Sequence, residues 1–119
     1  METGRTEPGL SLWPREILSL PLVVVPISGV IGHCLRNDDR QIVFFEIDEG
    51  TSFPDHNHCE QWGTVIAGEM TLEIGGHTDL YQPGEAYHIP EGASHRASFS
   101  ERTFLIDLFA RPDRYPVQP

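Results

Sequence analysis

GTSFPDHNHCEQWGTVIAG (Gly50–Gly68) and GEAYHIPEGASH (Gly84–His95) are the two stretches on which the reading of this chain turns. The first runs Gly50, five residues, His56, one residue, His58, two residues, Gln61, six residues, Gly68. The second runs Gly84, five residues, Pro90, one residue, Gly92, two residues, His95. Residues two apart on a strand point to the same side, so a strand through His56 and His58 offers both imidazoles to one ion. Histidine is the commonest metal ligand. An HxH pair alone is weak evidence, because a polar strand face produces it by chance. Here five of the six histidines fall between residues 56 and 95, among the turns, and the glycines and prolines around them are regularly spaced.

Working outward, the chain shows short β-rich runs punctuated by glycine and proline, and no sustained helical period. Ile42–Ile47, Gly63–Ile66, Met70–Ile74, His77–Tyr81, Ala86–Ile89 and Thr103–Phe109 are strand candidates. Gly75-Gly76 suits a two-residue hairpin, since both glycines accept positive φ. Pro83-Gly84 has the order of a type II turn. Many short strands at close spacing indicate a sandwich or barrel. Val23–Val25 and Val30–Leu35 are further candidates that extend a sheet or reach a partner subunit. The expected division is an N-terminal extension over residues 1–36, a β-barrel over 37–110 and a Pro-rich tail over 111–119 that packs over the surface or frays.

Composition narrows the function. At 119 residues there is room for one domain and one core. Eighteen acidic residues against eight basic give a formal charge of −10, which argues against nucleic acid and anionic membranes as partners. All eight basic residues are arginine, so Schiff-base chemistry through a lysine is excluded. Cys34 and Cys59 do not make a disulfide framework. No signal peptide is visible, and the apolar run Leu20–Ile31 is broken by Pro21, Pro26 and Gly29. A cytoplasmic protein is the expectation.

The two spaced strings resemble the paired motifs of the cupin superfamily, G-x5-H-x-H-x(3,4)-E-x6-G and G-x5-P-x-G-x2-H-x3-N, over Gly50–Phe99. The chain is similar to small single-domain cupins with a Gln61-Trp62-Gly63 variant of the first motif. The resemblance implies an all-β double-stranded β-helix, or jelly-roll barrel, holding one divalent transition metal. It implies His56, His58 and His95 as ligands. The usual fourth ligand is a glutamate seven residues before the closing glycine, a position that Gln61 holds. The segment after His58 is one residue short, so Glu60 is the alternative. Phe99 replaces the motif's asparagine, which affects pocket shape more than binding.

With Gln61 in place the ligands are all neutral, and the ion keeps its full charge. It then acidifies bound water more strongly and favours anionic ligands. Nitrogen-rich ligation suits zinc, iron, nickel, cobalt or copper over magnesium or calcium. A general base must come from beyond the ligands, with Glu60, Tyr87, His88 and Asp107 as candidates. Alternation along their strand turns only one of Tyr87 and His88 inward. Asp107, in the apolar run Leu105–Phe109, is either a carboxylate of raised pKa or an outward surface residue. His33 is a candidate pocket residue from an early strand, and His77 is solvated. Cys59 reads as a small buried hydrophobe, Trp62 as core or pocket wall.

The function expected is a metal-dependent enzyme acting on a small, oxygen-rich substrate, anionic ones included, by dioxygenase, polyketide-cyclase-like, isomerase or lyase chemistry. The alternative is a small-molecule-binding or sensing module without turnover. A homodimer is expected, as for other small cupins.

Overall fold

The computed structural model describes residues 11–119 of the chain. The part of the N-terminal extension before Ser11 lies outside the described residues. A single-turn helix, α1 (Arg15–Leu18), precedes nine strands: β1 (Val30–Arg36), β2 (Gln41–Ile47), β3 (Ser52–His56), β4 (Gln61–Ala67), β5 (Met70–Ile74), β6 (His77–Tyr81), β7 (Ala86–Ile89), β8 (His95–Ser98) and β9 (Thr103–Phe109). They form two antiparallel sheets, ordered β1-β2-β9-β4-β7 and β3-β8-β5-β6. This is the jelly-roll architecture that the resemblance implies.

Alternation decides which side chains enter the space between the sheets. On β2, Val43, Phe45 and Ile47 are buried inward, and on β4 Gln61 and Val65 do the same. Met70 and Leu72 of β5 and Leu105 and Phe109 of β9 complete the core from both sheets. The hairpin between β5 and β6 turns on Gly75 and Gly76 at φ 56° and 84°, the left-handed region that a side chain resists. Glu46 points outward from β2, yet it is buried because Arg102 pairs with it and Trp13 packs edge-on against Phe44 and Phe104 on the same face.

The boundaries at 36/37 and 110/111 separate segments that share one sheet and one core. β1 hydrogen-bonds β2 along its whole length. The tail packs rather than frays: Tyr115 is buried among the core residues. Fully buried Gln41 donates from Nε2 to the Tyr115 carbonyl at 3.0 Å and accepts the Tyr115 N–H at 3.0 Å. Further on, the Val24 N–H donates to the Pro116 carbonyl and the Gln118 N–H to the Leu22 carbonyl, both at 2.8 Å. Residues 22–24 and 116–118 therefore close the structure together, and the described part of the extension is tied to the tail.

Candidate metal centre

Three histidines meet at one end of the space between the sheets. His56 closes β3 and His95 opens β8, and the two face each other in register with ring centroids 4.2 Å apart. His58 does not share a strand with His56, as alternation alone would have it: β3 ends at His56, and His58 lies in the loop before β4. A break in the β3–β8 register between Phe53 and His56 accompanies this exit. The loop brings the His58 ring to centroid distances of 5.2 Å and 4.7 Å from His56 and His95. One nitrogen from each ring falls within 4.8 Å of the others.

The second nitrogen of each ring explains why the set fits a metal. Nδ1 of His56 meets the Pro54 carbonyl at 2.8 Å, that of His58 the Cys59 carbonyl at 2.7 Å, and that of His95 the Ala93 carbonyl at 2.9 Å. A carbonyl only accepts, so Nδ1 carries the hydrogen and Nε2 keeps its lone pair. Backbone carbonyls that fix tautomer and ring angle in this way are the usual support of metal-bound imidazoles. Burial, joined by the positive charge of Arg114, pushes the His58 pKa down to about 4. Burial likewise lowers that of His95, against its hydrogen bond to Ala93. These rings are neutral at pH 7, the form that binds metal.

Beside the histidines a narrow cavity runs between the sheets, with about 40 Å³ of free volume, room for about three waters. His56, His95 and Gln61 line it together with Phe45, Leu72, Phe99 and Phe109. On its wall the Tyr87 hydroxyl donates to Asp107 Oδ1 at 2.6 Å, both residues being buried. Asp107 also accepts a hydrogen bond from Gln61. Burial drives the Asp107 pKa up to about 6 despite these two donors. It also holds the Tyr87 phenol well above its usual value, reinforced by the neighbouring carboxylate. Of the two readings of Asp107, the inward one is what the fold contains.

The register of β4 with β7 sets Gly63 opposite Tyr87 and Trp62 opposite His88, and so turns Tyr87 inward and His88 out. On the outer face His88 Nε2 meets Glu60 Oε2 at 2.7 Å, and the Trp62 and His88 rings stack at 5.7 Å. Glu60 and His88 thus form an exposed pair apart from the cavity. Trp62 is on the surface rather than in the core or the pocket wall. His33 is buried, but its Nδ1 meets the Leu20 carbonyl at 3.0 Å away from the cavity. His77 is exposed beside Asp79, and Cys59 packs partly buried against the core.

Gly63 lies directly beneath the Asp107–Tyr87 pair. A Cβ built there would overlap Asp107 Oδ1 and the Tyr87 ring. Gly63→Ala is expected to cost about 3 kcal/mol through overpacking, read as a fall in Tm. A Tm within a degree of the parent would show that the pair moves freely.

Sequence reasoning passed over Arg114 and Tyr115 because they sit in a Pro-rich tail. The Arg114 guanidinium carbon stands 4.2 Å from the centroid of the Tyr115 ring and 5.8 Å from that of Phe109, and both rings line the cavity. An arginine followed by an aromatic residue between the tail prolines was the available signal.

The two-sheet jelly roll thus carries, at one end of its interior, three histidines placed as a metal ion would need them. Residues 43–106 match the cupin domain family, and the chain belongs to it. Among solved structures it resembles KdgF from Halomonas sp., at 27% identity and TM-score 0.69 over 77% of this chain and 88% of that one. An RmlC-like cupin from Shewanella frigidimarina aligns at 23% identity and TM-score 0.72, over 82% and 87% of the two chains. A variant of oxalate decarboxylase from Bacillus subtilis aligns at 15% identity and TM-score 0.69, covering 82% of this chain and 29% of that one. The last two share the fold. No curated protein matches the chain significantly.

Proposed function

We propose that this cupin is a metal-dependent enzyme that moves a proton on a small, oxygen-rich organic molecule, in the manner of an isomerase or lyase. The observation that carries the reading is the buried Asp107–Tyr87 pair on the wall of the cavity that His56 and His95 also line. A carboxylate sealed into an apolar wall is costly to fold around, and groups held at such cost cluster where proton transfer is done.

His56, His58 and His95 would hold the ion, with Gln61 as fourth ligand. Asp107 supports that assignment: an acceptor-only carboxylate draws the Gln61 amide N–H₂ toward itself, leaving Oε1 free on the other side. A divalent ion bound there supplies Lewis acidity toward substrate oxygens. Asp107 Oδ accepts the proton, while the Tyr87 hydroxyl orients the carboxylate and remains a phenol. Phe45, Leu72, Phe99 and Phe109 keep bulk water away, so that the proton returns to the substrate instead of the solvent.

The test is deuterium exchange. Zinc- or iron-loaded protein is incubated in D₂O with a panel of small keto- and hydroxy-acids and sugars, and NMR follows their C–H signals. Exchange or product formation in the parent, lost in Asp107→Asn, supports the enzyme. Ligand-induced thermal stabilisation with no exchange and no product across the panel would replace it with a binding module.

A further inference from the structure

Among the described arginines without an ion pair, Arg15, Arg36, Arg40 and Arg111 are exposed, whereas Arg114 is half-buried. Arg96 pairs with Glu73 and Arg102 with Glu46. Arg114 has no carboxylate within ion-pair distance among the described residues. Its Nε is buried without a hydrogen-bond partner. The one contact of its Nη2 is a long 3.4 Å approach to the Tyr115 hydroxyl. In a protein of net charge −10, a half-buried cation left unpaired is a standing cost that an anionic ligand would relieve.

Its place gives the cost a use. Arg114 lies between two surface hollows, one reaching His58 and the other His56. The Tyr115 ring supports its guanidinium at 4.2 Å, and Phe109, further off at 5.8 Å, joins Tyr115 in lining the cavity. Arg114 and His58 line one of these hollows together, and Arg114 and His56 the other. A guanidinium held against aromatic rings is pre-oriented, and its fork matches the two oxygens of a carboxylate.

We propose that Arg114 is the anchor for a substrate carboxylate, which makes the ligands of this site small carboxylic acids with a second oxygen directed at the histidines. The second contact rests on the reading of the histidines as a metal site; the carboxylate contact does not.

Glycolate, glycolamide and inorganic phosphate serve as probes, titrated into zinc-loaded and zinc-free protein and followed by amide chemical shifts, with zinc content measured alongside. The parent is expected to prefer glycolate to glycolamide by about 10-fold or more, the strength of a paired guanidinium. In Arg114→Met that preference should collapse toward unity while zinc content stays at the parent's level. Arg114→Lys, which keeps the charge and loses the fork, should fall between, and it serves if the methionine variant does not fold. An unchanged preference in either variant, or phosphate bound as tightly as glycolate by the parent, overturns the proposal. A parent that holds no zinc overturns the metal reading alone, since the zinc-free titration still reads Arg114.

Discussion

Replacing His95 by alanine is expected to take the protein from close to one metal ion per chain to almost none. Elemental analysis of untagged protein, after dialysis against metal-free buffer, reads this directly. The size of the effect follows from the geometry. His95 is the most buried of the three histidines, pairs in register with His56, and has its lone pair fixed by the Ala93 carbonyl. Loss of a supporting partner around a metal-bound imidazole costs roughly 10–100-fold in affinity, so loss of the imidazole itself costs more. Of the histidines only His56 and His58 remain beside Gln61, and His58 sits on a loop that no strand pairing holds. His33→Ala is the control. His33 is also buried and also bonded to a carbonyl, that of Leu20, but belongs neither to the cluster nor to the cavity wall. It should lower Tm and leave the metal in place. Metal retained by His95→Ala at the parent's level would place the ion elsewhere in the chain.

How much of this was written in the sequence differs from element to element. The bounds of β5, β6, β7 and β9 are legible to the residue, because Gly75-Gly76, Pro83-Gly84 and the apolar runs mark them from outside. β3 and β8 are not. They are short and polar, and β3 contains Pro54; β8 alternates in burial, but with His95 and Ala97 as its inward residues it shows no apolar pattern. Their strand character comes from pairing with each other and with β5, which a local pattern cannot contain. The three clustered histidines are the ones that the resemblance to the cupin motifs singles out, yet the geometry joining them was not legible, since His58 reaches the cluster through a loop. Tyr87 against His88 was undecidable locally. The register with β4 decides it, and that register is a long-range fact. The tail was least legible: Gln41 holds Tyr115 across 74 positions of chain, and with the Val24–Pro116 and Gln118–Leu22 hydrogen bonds that clamp keeps Arg114 beside the histidines.

Asp107→Asn is expected to stabilise the metal-free protein at neutral pH while abolishing its proton chemistry. The carboxyl of Asp107 releases its proton at about 6 in the folded chain, against 3.8 when unperturbed, because burial penalises the charge more than Tyr87 and Gln61 favour it. Between these values the folded chain binds more protons than the unfolded one. Stability therefore falls as pH rises through that window, and the loss is complete above about pH 6. A displacement of this size corresponds to about 3 kcal/mol at pH 7, and in a domain of this length to a change in Tm on the order of 10 °C. Asparagine keeps an oxygen for the Tyr87 hydroxyl and carries no charge to bury. The two melting curves should converge near pH 4 and separate up to pH 6, with the variant the more stable; a parent that melts higher at pH 7 would contradict the argument. The same substitution removes the base and presents an N–H₂ to the Gln61 amide, which must turn to offer Oε1 and so withdraw it from the histidine side. Turnover should then drop by at least about 100-fold, the usual worth of a positioned base. A substitution that strengthens the fold and silences the chemistry is what a carboxylate retained for function predicts, and one retained for structure would do the reverse.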